Sequence, residues 1–138
     1  MDNMGLDTTE ASLKLFSDSE LLIFQNKHEE AFAKLDTLVQ RFPEHTLEDD
    51  VYYAKAQIYK RQRDYASAME MYQKIIENFP EEIRADNSLF ELAELYETHL
   101  GDIEKAKELY QTLFLDYSGS TFAVEARKRF RILRGDDI

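Results

Sequence analysis

One pattern occurs three times in this chain, and the repetition restricts the fold more than any other feature. The clearest copy is DYASAMEMYQKIIENFP, Asp64 to Pro80. Tyr65, Ala68, Met69, Tyr72, Ile75, Ile76 and Phe79 recur at i, i+3, i+4 spacing and so share one face of a helix. Asp64 stands where an N-cap carboxylate accepts orphan backbone N–H groups, and Pro80 cannot continue a helix. The same pattern appears as HEEAFAKLDTLVQRFP, His28 to Pro43, and as DIEKAKELYQTLFLDYS, Asp102 to Ser118. In register, Ala31, Ala68 and Ala106 align, as do Leu35, Tyr72 and Tyr110, and Phe42, Phe79 and Tyr117.

Each copy follows another apolar-periodic stretch. Those stretches carry Ser19 and Leu22, Ala56 and Tyr59, and Ala93 and Tyr96 in matching places. The unit is therefore helix A, tight turn, helix B. Its period is 37 residues from Pro43 to Pro80 and 38 from Pro80 to Ser118. The added residue falls in the third A–B turn, where THLGD replaces RQRD. A small residue in each helix lets two helices approach to about 8–10 Å, and aromatic residues a turn away fill the wedge between hairpins.

This arrangement resembles the tetratricopeptide repeat family, which has a small residue and a Tyr in helix A, an Ala and an aromatic in helix B, and a closing Pro. The second repeat matches best, through Ala56, Tyr59, Tyr65, Ala68, Tyr72 and Pro80. The first departs at Ser19, Leu22 and Leu35, and the third has Ser118 in place of Pro. The family norm is about 34 residues, so the B-to-A joint is longer here. The longer FPE or YSGS type of joint resembles repeats of bacterial cell-envelope tetratricopeptide proteins.

The expected fold is an all-α solenoid of three helical hairpins with a C-terminal capping helix. Residues 1–7 read as a tail, 8–134 as the repeat domain and 135–138 as a second tail. The repeats span about 12–45, 49–82 and 86–119, and the capping helix about 120–134. Helix A of repeat 1 should begin at the capping-box-like Asp7-Thr8-Thr9-Glu10 and run to about Gln25. It reads as apolar almost all round (Leu13, Leu15, Phe16, Leu21, Leu22, Ile23, Phe24), whereas the end of a solenoid should present a polar face. That leaves two readings: a wide buried stripe, or a face that meets an upstream repeat or a second protomer. The second favours a fragment of a longer array. Gly101 falls in the third A–B turn, where a left-handed residue is commonly needed. The final helix carries Phe122, Val124, Ala126, Phe130 and Leu133, and its basic end complements the helix dipole.

The chain has 138 residues and 43% hydrophobic content, enough for one domain with a real core. No apolar run reaches the ~18 residues of a membrane span, and MDNMGLDTTE is too acidic and polar for a signal peptide. The absence of cysteine excludes disulfides and thiolate chemistry and fits cytoplasm or periplasm alike. A net charge of −11 disfavours nucleic acid and anionic lipid and favours basic or neutral partners. RKRFRILR puts five basic residues within eight positions, a patch better explained by arginines pairing with acids than by nucleic acid.

Catalytic signals are lacking. His28, His45 and His99 fall at separate joints. His45 with Glu48 and Asp49 has the spacing of a divalent-ion site, but an acidic first turn explains those carboxylates equally well. There is no calcium loop, phosphate loop or nucleophile elbow, so no cofactor is expected. The expected function is a non-catalytic scaffold that holds a protein or peptide in a concave groove lined by the A helices; the alternative is self-association or array stacking through the first helix. Register assigns the groove to Phe16, Glu20 and Ile23, Tyr53, Gln57 and Lys60, and Phe90, Glu94 and Glu97. The ladder Phe16, Tyr53, Phe90 either faces a partner with apolar anchors and basic groups or completes the core. Family members that clamp acidic chaperone tails carry Lys, Arg and Asn at these places. This chain has aromatics and acids there, which argues against that ligand.

Overall fold

The structure, a computed structural model, describes residues 4–43, 47–81 and 83–136. Seven helices follow one another: α1 Met4–Phe24, α2 His28–Arg41, α3 Glu48–Arg61, α4 Tyr65–Asn78, α5 Ile83–Thr98, α6 Ile103–Asp116 and α7 Ala123–Arg134. α1 packs on α2, α3 on α4 and α5 on α6, so the A–B hairpins form as the pattern requires. α1 also touches α3, and α3 touches α5. The A helices therefore line the inner side of the stack.

The caps follow local chemistry. Asp64 accepts from the Ser67 N–H at 3.2 Å and Asp102 from the Lys105 N–H at 3.1 Å. The equivalent place in the first hairpin is Lys27, which has no acceptor oxygen and makes no side-chain cap. The three A–B turns each contain one left-handed residue: Asn26 at φ 62°, Arg63 at φ 62° and Gly101 at φ 70°. Only the third uses glycine, for which this conformation carries no Cβ penalty. Each B helix ends on the aromatic before its joint. The N–H groups of Phe42, Phe79 and Tyr117 donate to the carbonyls of Leu38, Ile75 and Leu113.

The aligned positions form the core. Ala31, Ala68 and Ala106, Leu35, Tyr72 and Tyr110, and Ser19, Ala56 and Ala93 are all fully buried. Burying each large member contributes about 1.5–3 kcal/mol, and the small members permit the close helix approach. Ser12 and Ser19 satisfy their hydroxyls by donating to the carbonyls of Thr9 and Phe16 at 2.8 and 2.6 Å.

Three expectations need correction. α1 is already helical at Met4, so Asp7–Glu10 lies inside it instead of starting it, and the expected tail 1–7 gives way to helix from residue 4. No proline interrupts this stretch, and the helix propagates past the local capping signal. α1 is not apolar all round either: its outward face mixes Leu13, Leu21 and Phe24 with a Lys14–Asp18 ion pair at 3.4 Å. The last helix begins at Ala123, three residues later than Ser120. Ser120 is held in a turn instead, donating to Asp86 at 2.6 Å while accepting from the Phe122 N–H at 3.0 Å.

Candidate protein-binding surface

The inner surface is built from the junctions between successive A helices, and each junction has its own chemistry. At the second, Glu91 of α5 reaches between the hairpins. Its carboxylate accepts from Tyr72 Oη at 2.6 Å, Gln57 Nε2 at 2.9 Å, Lys60 Nζ at 3.1 Å and also from the Tyr53 hydroxyl. Burial pushes the Glu91 carboxyl up, but hydrogen bonds from Tyr53, Tyr72 and Gln57 and the Lys60 charge outweigh it and hold the group below the usual carboxylate range. The Tyr53 and Tyr72 hydroxyls are pushed up, first by burial and then by the adjacent carboxylate.

The third junction repeats this with the charges exchanged. Arg129 of α7 stands 38 residues after Glu91, and Glu94 and Glu97 stand 37 after Gln57 and Lys60. Arg129 donates to Glu97 at 3.2 Å, to Tyr110 Oη at 3.3 Å, to Glu94 at 3.5 Å and to Glu125 at 3.0 Å. Tyr110, the register partner of Tyr72, donates to Glu97 at 2.8 Å. Burial pushes the Tyr110 hydroxyl up and Glu97 adds to it.

Among the described residues the first junction carries no such ionic bridge. The position of Glu91 and Arg129 is occupied by Ala54, and those of Lys60 and Tyr72 by Ile23 and Leu35. All three pack in one apolar cluster. Alanine is too short to span the space that Glu91 and Arg129 bridge, and a cleft of about 250 Å³ remains, lined by Phe16, Glu20, Ile23, Phe24, Tyr53, Ala54, Gln57, Arg61 and Arg84. Phe24 is 77% exposed at its edge. The Arg84 guanidinium lies 4.5 Å from the centre of the Tyr53 ring and donates to Asp50 at 2.8 Å. Arg61 donates to Asn26 at 3.2 Å.

Five of the nine expected groove residues thus line this cleft: Phe16, Glu20, Ile23, Tyr53 and Gln57. Ile23 forms its floor and is only 8% exposed. Lys60 is turned to Glu91. Glu94 and Glu97 are turned to Arg129. Phe90 is also 8% exposed, stacked at 5.1 Å on Phe122 and edge-on at 5.8 Å to Tyr110. The aromatic ladder is therefore broken at its third rung, because α7 closes over it. Phe24, Arg61 and Arg84 escaped the register argument, as did Glu91. The signal for Glu91 was present: a tyrosine at a buried position needs a hydrogen-bond partner for its hydroxyl.

Two other candidate sites resolve differently. Glu48, Asp49 and Asp50 lie in the first turn of α3, while His45 is outside the described residues. Among the described residues no group of three or more His, Cys, Asp or Glu could hold a metal ion. In RKRFRILR, the half-buried Phe130 ring packs edge-on against Phe114 at 5.4 Å and against the core of the third hairpin.

The family model for the tetratricopeptide repeat matches residues 50–82 and 87–120, the second and third hairpins. These segments carry the buried Ala–Tyr register and the helix pairing just described. The chain is a tetratricopeptide repeat protein. Its first hairpin lies outside the two matched segments yet packs in the same way, with Ala31 and Leu35 buried where Ala68 and Tyr72 are. No curated protein matches the chain. Tetratricopeptide repeats as a class are protein-interaction scaffolds, and among the described residues no helix is long and apolar enough to cross a membrane.

Proposed function

We propose that this tetratricopeptide protein is a non-catalytic scaffold that seats a protein or peptide partner in the inner groove, at the cleft between α1 and α3. The observation that carries the reading is Ala54. The same register position is filled by Glu91 and Arg129 at the next two junctions, whereas at Ala54 the space is left open. An apolar side chain of the partner fits between Phe16, Phe24 and Tyr53, and the exposed carboxylate of Glu20 receives a basic group beside it. The acidic surface sets orientation and on-rate more than affinity. The non-catalytic reading is supported by where the perturbed groups lie. Tyr53, Tyr72, Glu91 and Tyr110 are bound into contacts that join the hairpins, a structural use of such shifts.

The test is to select peptides from a random display library and map them on isotope-labelled protein by chemical-shift perturbation. Binders should shift the amides of Phe16, Phe24 and Tyr53, and Phe24→Glu should weaken them about tenfold or more. Binders that map to the outer B helices would refute the groove reading.

A second reading, self-association or stacking through α1, rests on Leu21. Its register partners Ile58 and Leu95 are buried against the preceding hairpin, while Leu21 is 56% exposed. Light scattering across a concentration range separates the two: a monomer throughout removes self-association, and a dimer dispersed by Leu21→Glu supports it.

A further inference from the structure

α7 is a helix A with no helix B among the described residues. Its buried side repeats α5 at a spacing of 38: Ala123 and Ala126 follow Ala85 and Ser88, and all four are buried. Phe130 and Leu133 likewise follow Leu92 and Leu95 and pack on the third hairpin. The face of α5 that receives α6 is made by Leu89, Ala93 and Tyr96, and in α3 the same face is Tyr52, Ala56 and Tyr59. Carried forward by 38 residues, that face becomes Arg127, Arg131 and Arg134. The place where a helix would seat is therefore cationic.

It is also a shaped site. The three arginines surround a cavity of about 340 Å³ whose remaining lining is Phe114 and Phe130. The Arg127 guanidinium stands 5.5 Å from the Phe114 ring centre, and that of Arg134 stands 5.1 Å from the Phe130 ring centre. Stacking of this kind holds the guanidinium planes while leaving their N–H edges free to donate. The chain's own Asp136 already sits on two of them, accepting from Arg134 Nε at 2.9 Å and Arg131 Nε at 3.5 Å. It occupies the position a partner's carboxylate would take.

We propose that this face of α7 docks an acidic amphipathic helix of a partner protein, lying where a helix B would lie, with apolar side chains on Phe114 and Phe130 and carboxylates on Arg127, Arg131 and Arg134. Exposure to solvent alone requires only that such a face be polar. With 28 acidic against 17 basic residues in the chain, a merely polar face would be expected to carry acids; this one presents three arginines at i, i+4 and i+7. Nucleic acid fits less well. The three cations span only about 10 Å of helix, too short a run to follow a phosphate backbone.

This site is separate from the α1–α3 cleft, so its test does not depend on the groove reading. The probe is a fluorescently labelled amphipathic helical peptide with Leu on one face and Glu at i, i+4 and i+7, titrated by anisotropy against the full chain. Saturable binding is expected, weakened about tenfold or more by combined Arg127→Glu and Arg131→Glu. Both positions are exposed, and an unchanged melting curve verifies that this variant folds. Asp136→Asn, which releases two guanidiniums, should tighten binding several-fold. The proposal is overturned if the peptide does not bind, if a Gln-for-Glu peptide binds equally well, if Asp136→Asn leaves affinity unchanged, or if an oligonucleotide of similar length displaces the peptide at lower concentration than the peptide's own.

Discussion

Glu91→Ala should be one of the most destabilising single substitutions on the inner face of this protein. The Glu91 side chain is 17% exposed and accepts four hydrogen bonds, from two tyrosines, a glutamine and a lysine. A hydrogen bond to a charged group contributes about 1.5–3 kcal/mol. The four are not additive, because Lys60 is a third exposed and can turn to water once released. The Tyr72 hydroxyl cannot turn away and would keep only its contact with Gln57 at 3.0 Å. Losing one partner of a buried charged network costs about 3–5 kcal/mol, so a loss of about 3 kcal/mol is expected. For a chain of this length that lowers Tm by about 10 °C. Differential scanning calorimetry or urea denaturation measures it, and hydrogen exchange at the α3–α5 junction localises it. The pH dependence supplies a second arm. The folded carboxyl lies below its unfolded value, so its contribution is present above the unfolded pKa of about 4.3 and is lost as pH falls through the folded pKa. The gap between wild type and Glu91→Gln should therefore be widest at neutral pH and narrow below about pH 4.5. A Glu91→Ala cost under about 1 kcal/mol, with a pH-independent gap for Glu91→Gln, would refute the reasoning and make the network a solvent-screened surface contact.

Four further outcomes follow from the same geometry. Tyr53→Phe should cost about 1 kcal/mol by removing the hydroxyl from Glu91 while leaving cleft-peptide affinity within about twofold, and Tyr53→Ala should weaken that affinity about tenfold; paired chemical denaturation and peptide titration distinguish ring from hydroxyl. Ser88→Ala should stabilise by about 1 kcal/mol, because the Ser88 hydroxyl is fully buried without a hydrogen-bond partner among the described residues; a loss of Tm would show that it is satisfied. Ala68→Leu should cost about 3 kcal/mol, since this residue is fully buried in the cluster shared by α3, α4 and α5; unchanged stability in urea would undercut the repeat register. Gly101→Ala should cost about 1 kcal/mol from backbone strain alone, because φ is 70° and nothing lies within 4 Å of an added Cβ, whereas Arg63→Gly at φ 62° should be neutral or slightly stabilising in the same melts.

What could be read from the sequence and what could not divide along one line. Positions whose chemistry is the same in every copy were legible. Ala31, Ala68 and Ala106 must be small, and each B helix must stop before its joint, so likeness alone aligned them. The position Ala54, Glu91, Arg129 was not legible, because an alignment by likeness discards a column that is neutral, then acidic, then basic. Yet this column decides what each junction does. Ala54 leaves a cleft beside Phe16 and Tyr53. Glu91 faces Gln57 and Lys60, and Arg129 faces Glu94 and Glu97, so each donor or acceptor set is answered by a complementary residue one helix further on. The exchange of charge also acts against misassembly. Seated on the second hairpin, α7 would set Arg129 against Lys60, and an α5 stacked on its own copy would set Glu91 against Glu94 and Glu97. Either error would put like charges in a partly buried site, at a cost of several kcal/mol. Apolar packing of Ala, Tyr and Leu is nearly the same at every junction and cannot order the hairpins. The varying column can, and the same variation leaves the cleft open at the first junction.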